Sequence, residues 1–264
     1  MQKLINLVND YKQAIKMKKI FFVLTTILIL TVIATASMLI PSNENAVDNA
    51  KAPEHSPVIN ENWELERVDF IHYAKPEAPA RGPKANNCYK LMGVKWKTLP
   101  VNYVINPSNP QGLSESFITS TISVSAETWD DSTSSELFNN AYSLNYSASY
   151  GIQDYKNSID FADYPNDEVI AVTSVWYTRV GKQIVEFDQR YNTRFSWGDA
   201  TINSSKMDLQ NIAVHELGHA VGLDDIYTST CSSVTMFGYS TEGDISKRTL
   251  EQPDITGLQS MYGI

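Results

Sequence analysis

The stretch from Ser205 to Gly222 limits the possible folds of this chain more than any other, because it joins a helical apolar pattern to two histidines. Its apolar residues recur near the helical period of about 3.6 residues: Leu209, Ile212, Ala213, Leu217 and Ala220. Gly222 is a natural stop for a helix. His215 and His219 lie four residues apart, so they face the same way. The pattern predicts a helix that presents both histidines to one site.

Two histidines one helical turn apart can bind one metal ion. Glu216 directly follows the first histidine, so its carboxylate can reach a water on the metal without binding the metal itself. That arrangement is the one needed to deprotonate the water. We therefore predict that His215 and His219 are metal ligands and that Glu216 is catalytic.

A zinc site in a hydrolase needs a third protein ligand and an open fourth position. No histidine follows His219 in the chain, so a local third ligand must be another residue type. Gly222 can take a positive φ and turn the chain back towards the site. Asp225 then stands at the spacing of the extended zinc motif, and Asp224 is its nearest rival. We favour Asp225.

Composition and charge exclude several other classes of protein. Hydrophobic residues make up 42% of the chain and charged residues 19%, which excludes a mostly disordered protein. The net charge is −9, with +4 on residues 1–19 and −13 on residues 20–264, so a basic nucleic-acid surface is not expected. The two cysteines are too few for a four-cysteine zinc site. The chain has no Gly-x-Ser-x-Gly motif, which disfavours a serine hydrolase.

The N-terminal segment predicts export. Residues 20–40 form an uncharged apolar run preceded by Lys16, Lys18 and Lys19, the pattern of a secretory signal or a signal anchor. Cleavage after Ala36 would release a secreted protein, whereas a retained run is long enough to span a bilayer. Residues 1–36 are therefore interpreted as a signal peptide or signal anchor, and translation starts at Met1 or Met17. Both alternatives place the rest of the chain outside the cytoplasm.

The remaining chain divides into a spacer and one domain. Residues 37–87 contain six of the eleven prolines and have little apolar periodicity, so we predict a linker or pro-region whose histidines, His55 and His72, lie outside the folded core. Residues 88–264 alternate blocks of strands and helices, which predicts a single α+β domain. Its clearest further elements are strands at 169–177 and 184–187 and a last helix at 253–262.

The motif resembles that of the metzincins, secreted or surface zinc endopeptidases with the sequence His-Glu-x-x-His-x-x-Gly-x-x-His/Asp. The stretch Asp208–Leu223 looks like the active-site helix of the matrixin branch. The aspartate version, followed by Ile226-Tyr227 and Cys231, is also similar to snapalysin-type proteases. The resemblance covers residues 88–264 and is specific from 208 onward.

The resemblance extends to two downstream segments. Val234–Tyr239 looks like the methionine turn of the family, with Met236 as the methionine, and Pro253–Gly263 resembles the closing helix of matrixins. The implied fold is a metzincin-like catalytic domain with a twisted mixed sheet, an active-site helix, a methionine turn and a C-terminal helix. Tyr239 is a candidate oxyanion helper, with packing beneath the site as the alternative.

The function implied is a secreted or surface-tethered zinc endopeptidase, with Glu216 as the general base for a zinc-bound water. Proteins or peptides would be its substrates. Strand 184–187 resembles the edge strand of the family, which pairs with an extended peptide substrate. The alternative is an ordinary sheet edge with no part in substrate binding. We expect a monomer that contacts membranes only through an uncleaved N-terminal segment. One alternative is a catalytically silent, zinc-containing surface binding protein of the same fold, and another is a zinc hydrolase of a different amide.

Cys88 and Cys231 leave three possibilities open. In an exported protein a disulfide between them is the natural expectation. The alternatives are a latency switch, in which Cys88 would occupy the open zinc position, and two free thiols. The residues around Cys88 do not match the matrixin switch motif. Matrixins also hold structural calcium, so the resemblance implies structural calcium as a second candidate cofactor beside zinc, although no loop in this sequence has calcium-binding spacing.

Overall fold

A seven-stranded mixed sheet, a separate two-stranded sheet and three α-helices form the regular structure of the described part of the chain. The computed structural model describes residues 65–74 and 87–264, which belong to the compact unit Ile59–Ile264. The helices are α1 (Glu115–Asp130), α2 (Leu209–Ala220) and α3 (Gln252–Tyr262), with short 3₁₀ turns at Ser229–Cys231 and Ser246–Arg248. The strands are β1 (Leu65–Ala74), β2 (Val104–Ile105), β3 (Ser143–Leu144), β4 (Ser158–Ala162), β5 (Val169–Thr178), β6 (Ile184–Asn192), β7 (Trp197–Gly198), β8 (Met207–Asp208) and β9 (Tyr239–Ser240). The predicted α+β class is confirmed.

The main sheet has the strand order β3-β2-β4-β6-β5-β1-β9. Strand β5 pairs antiparallel with both β6 and β1, and the other pairs in this sheet are parallel. The β5 sequence VIAVTSVWYT is rich in β-branched and aromatic residues and largely buried, which suits a strand with neighbours on both sides. Gly181 and Lys182, in the five-residue connection between β5 and β6, have φ of +88° and +51°, the left-handed region that lets the chain reverse its direction.

The prediction that residues 184–187 form the edge strand is wrong. Strand β6 lies between β4 and β5 and is hydrogen-bonded to both. The prediction rested on the resemblance, since the polar residues of this segment fit an edge strand and an ordinary strand alike. Glu186 and Asp188 are fully buried. Glu186 accepts hydrogen bonds from the backbone N–H groups of Asp154 and Tyr155, and Asp188 accepts from those of Gly151 and Ser158. These two carboxylates hold the loop that leads into β4 against the sheet.

Helix α2 is the predicted helix that contains both histidines. It begins after Asp208, whose side chain accepts a hydrogen bond from the Asn211 N–H at 2.8 Å and so caps the first turn. It packs against α1, where the Trp129 indole donates to the Val214 carbonyl at 2.8 Å. Leu217 on its inner face is fully buried, a burial that contributes about 1.5–3 kcal/mol to stability. The position of α2 is therefore fixed by capping and packing.

Helix α3 holds the segment around Met236 in place. The Asp254 carboxylate, in the first turn of α3, accepts hydrogen bonds from the backbone N–H groups of Thr235 and Met236 at 2.9 and 3.2 Å. Asp254 also accepts from the Glu251 N–H at 3.0 Å, as part of a capping box at the start of the helix. The start of α3 and the turn before β9 are thus one hydrogen-bonded unit.

Strand β1 comes from the segment predicted to be a linker or pro-region. It pairs antiparallel with β5 from Leu65 opposite Thr178 to Tyr73 opposite Val169, with a shift of register between His72 and Tyr73. At its end, Tyr73 and Ala74 pair in parallel with Tyr239 and Ser240 of β9. The division of the chain at residue 88 stays a prediction, but ten residues before it lie within the sheet.

Cys88 and Cys231 are joined by a disulfide, with their Cα atoms 5.4 Å apart. The bond connects the start of the 87–264 stretch to the loop that precedes Met236. Among the described residues, no helix combines the length and apolar character needed to cross a membrane. The apolar run at 20–40, predicted to be a signal or an anchor, lies outside the described residues.

Candidate metal centre

His215 and His219 project from one side of α2 with their Nε2 atoms 3.1 Å apart. The Nδ1 atom of each ring faces a backbone carbonyl, Thr235 O at 2.7 Å and Leu223 O at 2.9 Å. A ring nitrogen that faces a carbonyl must be the one that carries the hydrogen. Each Nε2 atom is therefore left as a lone-pair donor, which is the arrangement that orients metal-binding histidines.

Asp225 is brought to the histidine pair by the turn after α2, where Gly222 has a φ of +103°. The Asp225 Oδ1 atom lies 3.3 Å from His215 Nε2 and 3.6 Å from His219 Nε2. Its Oδ2 atom accepts a hydrogen bond from the Tyr227 hydroxyl at 2.9 Å. Oδ1 is buried and has no hydrogen-bond partner within residues 65–74 and 87–264.

These three atoms form a donor set that fits a cation. Two imidazole lone pairs and a carboxylate oxygen converge in a buried site, where they repel one another unless a positive charge lies between them. Burial lowers the pKa of His215 to about 4, which keeps its imidazole neutral and able to bind a metal. Burial acts on His219 in the same direction, but the Asp225 carboxylate outweighs it and raises the pKa of His219. Two nitrogens and one oxygen are ligands that zinc accepts.

Asp224, the rival third ligand, has other partners. Its carboxylate forms an ion pair with Lys90 Nζ at 2.6 Å, and a quarter of its side chain is exposed. Its backbone N–H donates to the Lys90 carbonyl. The structure therefore places Asp225, and not Asp224, against the histidine pair.

Glu216 lies beside this group and faces β5. Its Oε2 atom accepts a hydrogen bond from the Thr173 hydroxyl at 2.5 Å, and its Oε1 atom is 3.2 Å from His72 Nδ1. Burial raises the pKa of the Glu216 carboxyl to about 7. Thr173 and Tyr227 are two contacts that the sequence analysis missed, since neither belongs to the motif.

The expectation that His72 lies outside the folded core is wrong. His72 is 1% exposed, and its ring centroid is 4.0 Å from that of His215. Phe70, two residues earlier, stacks on His219 with centroids 4.0 Å apart and rings inclined by 9°. Residues i and i+2 of a strand face the same side, so the two rings together cover the metal-binding face of α2. The abundance of proline around this segment concealed the short alternating pattern.

Met236 packs against α2 at Gly218. A Cβ atom built on Gly218 would lie 2.3 Å from Met236 Sδ and 2.7 Å from Trp129 Cζ2. Helix α2 can therefore approach both side chains only because this position lacks a side chain. Tyr239, the candidate oxyanion helper, packs its ring against Tyr227 and Phe237.

Replacing Gly218 by alanine is expected to destabilise the protein by about 1–3 kcal/mol, because the added methyl overlaps two fully buried side chains. The free energy of unfolding from urea titration would measure the effect. Gly198→Ala is the matched control, because its Cβ meets only the flexible Lys206 side chain, at 3.1 Å. Equal losses in the two variants would contradict the close packing at Gly218.

Comparison with known proteins agrees with this geometry. The profile of the matrixin family, Peptidase_M10, matches residues 95–263. Matrix metalloproteinase-25 of Homo sapiens is 33% identical over 84 residues, which cover 31% of this chain and 15% of that protein. Stromelysin-1 of Equus caballus is 39% identical over 64 residues, 24% of this chain and 13% of that protein. The match therefore spans a small part of each relative. Because the family profile covers well over half of this chain, the chain belongs to the matrixin family.

Proposed function

We propose that this protein is a zinc-dependent endopeptidase in which His215, His219 and Asp225 hold the metal and Glu216 is the general base. The observation that carries the proposal is the convergence of three buried lone-pair atoms within 3.6 Å of one another, beside a carboxylate on the same helix. Membership of the matrixin family, together with these three donor atoms, favours peptide hydrolysis over other reactions. The names of the matched relatives describe metalloproteinase activity for those proteins, and we extend it to this chain.

A bound zinc ion supplies the Lewis acid that polarises the scissile carbonyl and acidifies a water. The Nδ1–H contacts with Thr235 and Leu223 hold the two imidazoles in the tautomer that binds metal. Tyr227 holds Asp225 through Oδ2 and leaves Oδ1 facing the histidines. An anionic ligand weakens the Lewis acidity of the metal relative to three neutral imidazoles.

Glu216 is suited to move a proton in both directions. A general base works best when its pKa lies near the working pH, and burial raises the pKa of this carboxyl to about 7. Glu216 takes a proton from the attacking water and then passes it to the leaving amine. The Thr173 hydroxyl orients the carboxylate by binding Oε2, so that Oε1 is the oxygen that faces the reaction.

The proposal extends to the whole chain. We infer a signal peptide or anchor at 1–36, a linker or pro-region at 37–87 and a catalytic domain at 88–264. We also infer that Met236 forms the methionine turn of the family, and that the protein is a secreted or surface-tethered monomer acting on proteins or peptides. Structural calcium stays the second candidate cofactor, which only the resemblance to matrixins implies.

The alternative is a zinc-containing surface protein without catalysis. A protein of that kind has no need for a glutamate next to its metal ligands. The buried Glu216 with its raised pKa, oriented by Thr173, favours the enzyme.

Removal and replacement of the metal test the proposal. We expect one zinc ion per full chain. A chelator should abolish the hydrolysis of casein and of mixed peptides. Added Zn²⁺ should restore hydrolysis and Mg²⁺ should not, because magnesium prefers oxygen ligands in an octahedral geometry. Since Phe70 and His72 cover the site, hydrolysis would be measured on the unmodified chain and on the Phe70→Ala/His72→Ala variant. Zinc binding with no hydrolysis in either protein would favour the surface binding protein.

A further inference from the structure

We propose that the buried ammonium group of Lys247 is a positioning charge for the metal centre, which offsets the negative charge that Asp225 brings as the third ligand. The inference rests on the proposed function, because it concerns the electrostatics of the same site. A neutral histidine in the place of Asp225 would leave the centre one unit more positive. A cation held nearby supplies that unit again, and Lys247 lies outside the zinc motif.

Lys247 is a buried cation without an ion-pair partner. Its side chain is 2% exposed, although lysine is almost never fully buried unless it is paired. Its neighbour Arg248 forms two ion pairs, whereas Lys247 forms none within the described part of the chain. The Lys247 Nζ atom donates a hydrogen bond to the Phe237 carbonyl and lies 5.6 Å from the centroid of the Phe237 ring. Burying such a charge costs free energy, which calls for a compensating role.

The Phe237 carbonyl brings this ammonium group close to the Asp225 carboxylate. The peptide unit of this carbonyl ends at Gly238, where an added Cβ atom would lie 2.9 Å from Asp225 Oδ1. The Gly238 N–H donates at 3.0 Å to the carbonyl of Ile226, the residue after Asp225. One hydrogen bond, one peptide unit and one close approach therefore separate the two charges, which places them within about 10 Å of each other.

Helix α2 holds the backbone of Lys247 in place. The Lys247 N–H donates to Asn211 Oδ1 at 2.7 Å, and Asn211 Nδ2 donates to the Ser240 hydroxyl at 3.0 Å. Asn211 lies four residues before His215, on the same side of α2. The helix that carries the two histidines therefore also fixes the position of Lys247.

The charge of Lys247 is available to the metal centre. Burial lowers the pKa of Lys247 to about 8, so the side chain stays mostly protonated at pH 7. Burial is the main cause of the lowered pKa of His215, and the Lys247 ammonium acts in the same direction. Two other carboxylates near Lys247 have donors of their own. Asp254 accepts from three backbone N–H groups, and Asp244 accepts from the N–H and the hydroxyl of Ser246.

A positive charge in this place has opposite effects on metal binding and on the reaction. It repels a metal dication, so it weakens zinc binding. It attracts the negative charge that develops on the oxygen of the scissile carbonyl, so it lowers the barrier. Two unit charges about 10 Å apart, at an effective dielectric constant of about 20, change an equilibrium or a rate by about tenfold. A side chain that only held the fold together would not change zinc affinity and kcat in opposite senses.

Zinc affinity tests the charge independently of catalysis. Lys247→Met keeps the length of the side chain and removes the cost of burying a charge. We expect chelator competition on the full chain at pH 7 to show that this variant binds zinc at least about fivefold more tightly than the unmodified chain. Lys247→Arg keeps the charge and should bind zinc within about twofold of the unmodified chain. Unchanged or weaker binding by Lys247→Met would overturn the proposal.

Lys206→Met is the matched control. Lys206 also forms no ion pair in the part of the chain that the structure describes, but it is partly exposed and donates to the Ser196 hydroxyl at 2.7 Å. Solvent screens its charge, so zinc affinity should stay within about twofold of the unmodified chain. An equal gain in both variants would reflect net charge alone and overturn the proposal. If Lys247→Met does not fold, Lys247→Gln keeps a donor for the Phe237 carbonyl and should tighten zinc binding likewise.

Hydrolysis by the zinc-loaded proteins separates this inference from the proposed function. We expect Lys247→Met to lower kcat on peptides by about tenfold with KM within about threefold, also in the Phe70→Ala/His72→Ala background. Unchanged kcat beside an active parent would leave the endopeptidase intact and overturn the inference. Tighter zinc binding with no hydrolysis in any of the proteins would support the charge at Lys247 and contradict the endopeptidase.

A second substitution tests the link between Lys247 and Asp225. Asp225→His removes one negative charge from the centre that Lys247→Met has deprived of one positive charge. We therefore expect the Asp225→His/Lys247→Met protein to have a higher kcat than Lys247→Met alone. A double variant that is no faster than Lys247→Met would show that the ammonium group does not offset the charge of the third ligand.

Discussion

Replacing Glu216 by glutamine is expected to lower kcat by about 10²–10⁴-fold, the usual contribution of a general base. The amide keeps the size of the side chain and its hydrogen bond with Thr173 but cannot accept the proton of the attacking water. Because Glu216 is not among the three converging metal donors, the variant should bind one zinc ion as the parent does. Peptide hydrolysis and zinc content would be measured together, in the unmodified chain and in the Phe70→Ala/His72→Ala background.

Glu186→Gln provides a matched control for that variant. Glu186 is also a buried glutamate, but it lies on the face of the sheet opposite to Glu216. Its carboxylate binds the backbone N–H groups of Asp154 and Tyr155. The same substitution there should lower the free energy of unfolding and leave kcat within a few fold. If Glu216→Gln reduced kcat no more than Glu186→Gln does, Glu216 would not be the base.

The clustering of His215, His219 and Asp225 was predictable from the sequence because these residues are close together in the chain. His215 and His219 share one helical turn, and Asp225 follows a glycine that reverses the chain, so spacing alone places them near one another. The structure brings these three together with Glu216 beside them. Thr173 and Tyr227 were missed because hydrogen bonds from residues outside the motif leave no pattern in the sequence.

The position of β1 beside α2 was not predictable, because its contacts join residues that are far apart in the chain. The nearest contact between this strand and the site joins His72 to Glu216 across 144 positions. A short strand has little periodicity of its own, and the prolines around this one made the whole segment resemble a spacer. The assignment of residues 184–187 as an edge strand came from the resemblance, and the polar residues could not correct it, because buried and exposed carboxylates such as those of Glu186 and Asp188 look the same in a sequence. In both places tertiary contacts decide the outcome.

Replacing Asp225 by alanine is expected to weaken zinc binding by more than about 100-fold, because residues that only support the ligands already contribute about 10–100-fold. The loss leaves two imidazoles and removes the negative charge that raises the pKa of His219. Chelator competition on the full chain would measure the affinity, and hydrolysis should disappear at the same time. Asp225→His should restore binding, since imidazole is the commoner third ligand of this motif.

Asp224→Ala decides between the two neighbouring carboxylates. Asp224 is next in the chain and carries the same charge, but its partner is Lys90 rather than the histidine pair. Its loss should leave zinc affinity within a few fold of the parent and change only an ion pair that is partly exposed to solvent, worth about 1 kcal/mol or less. If Asp224→Ala released zinc and Asp225→Ala retained it, the third ligand would be Asp224, and the turn at Gly222 would have to place the chain differently from the arrangement described above.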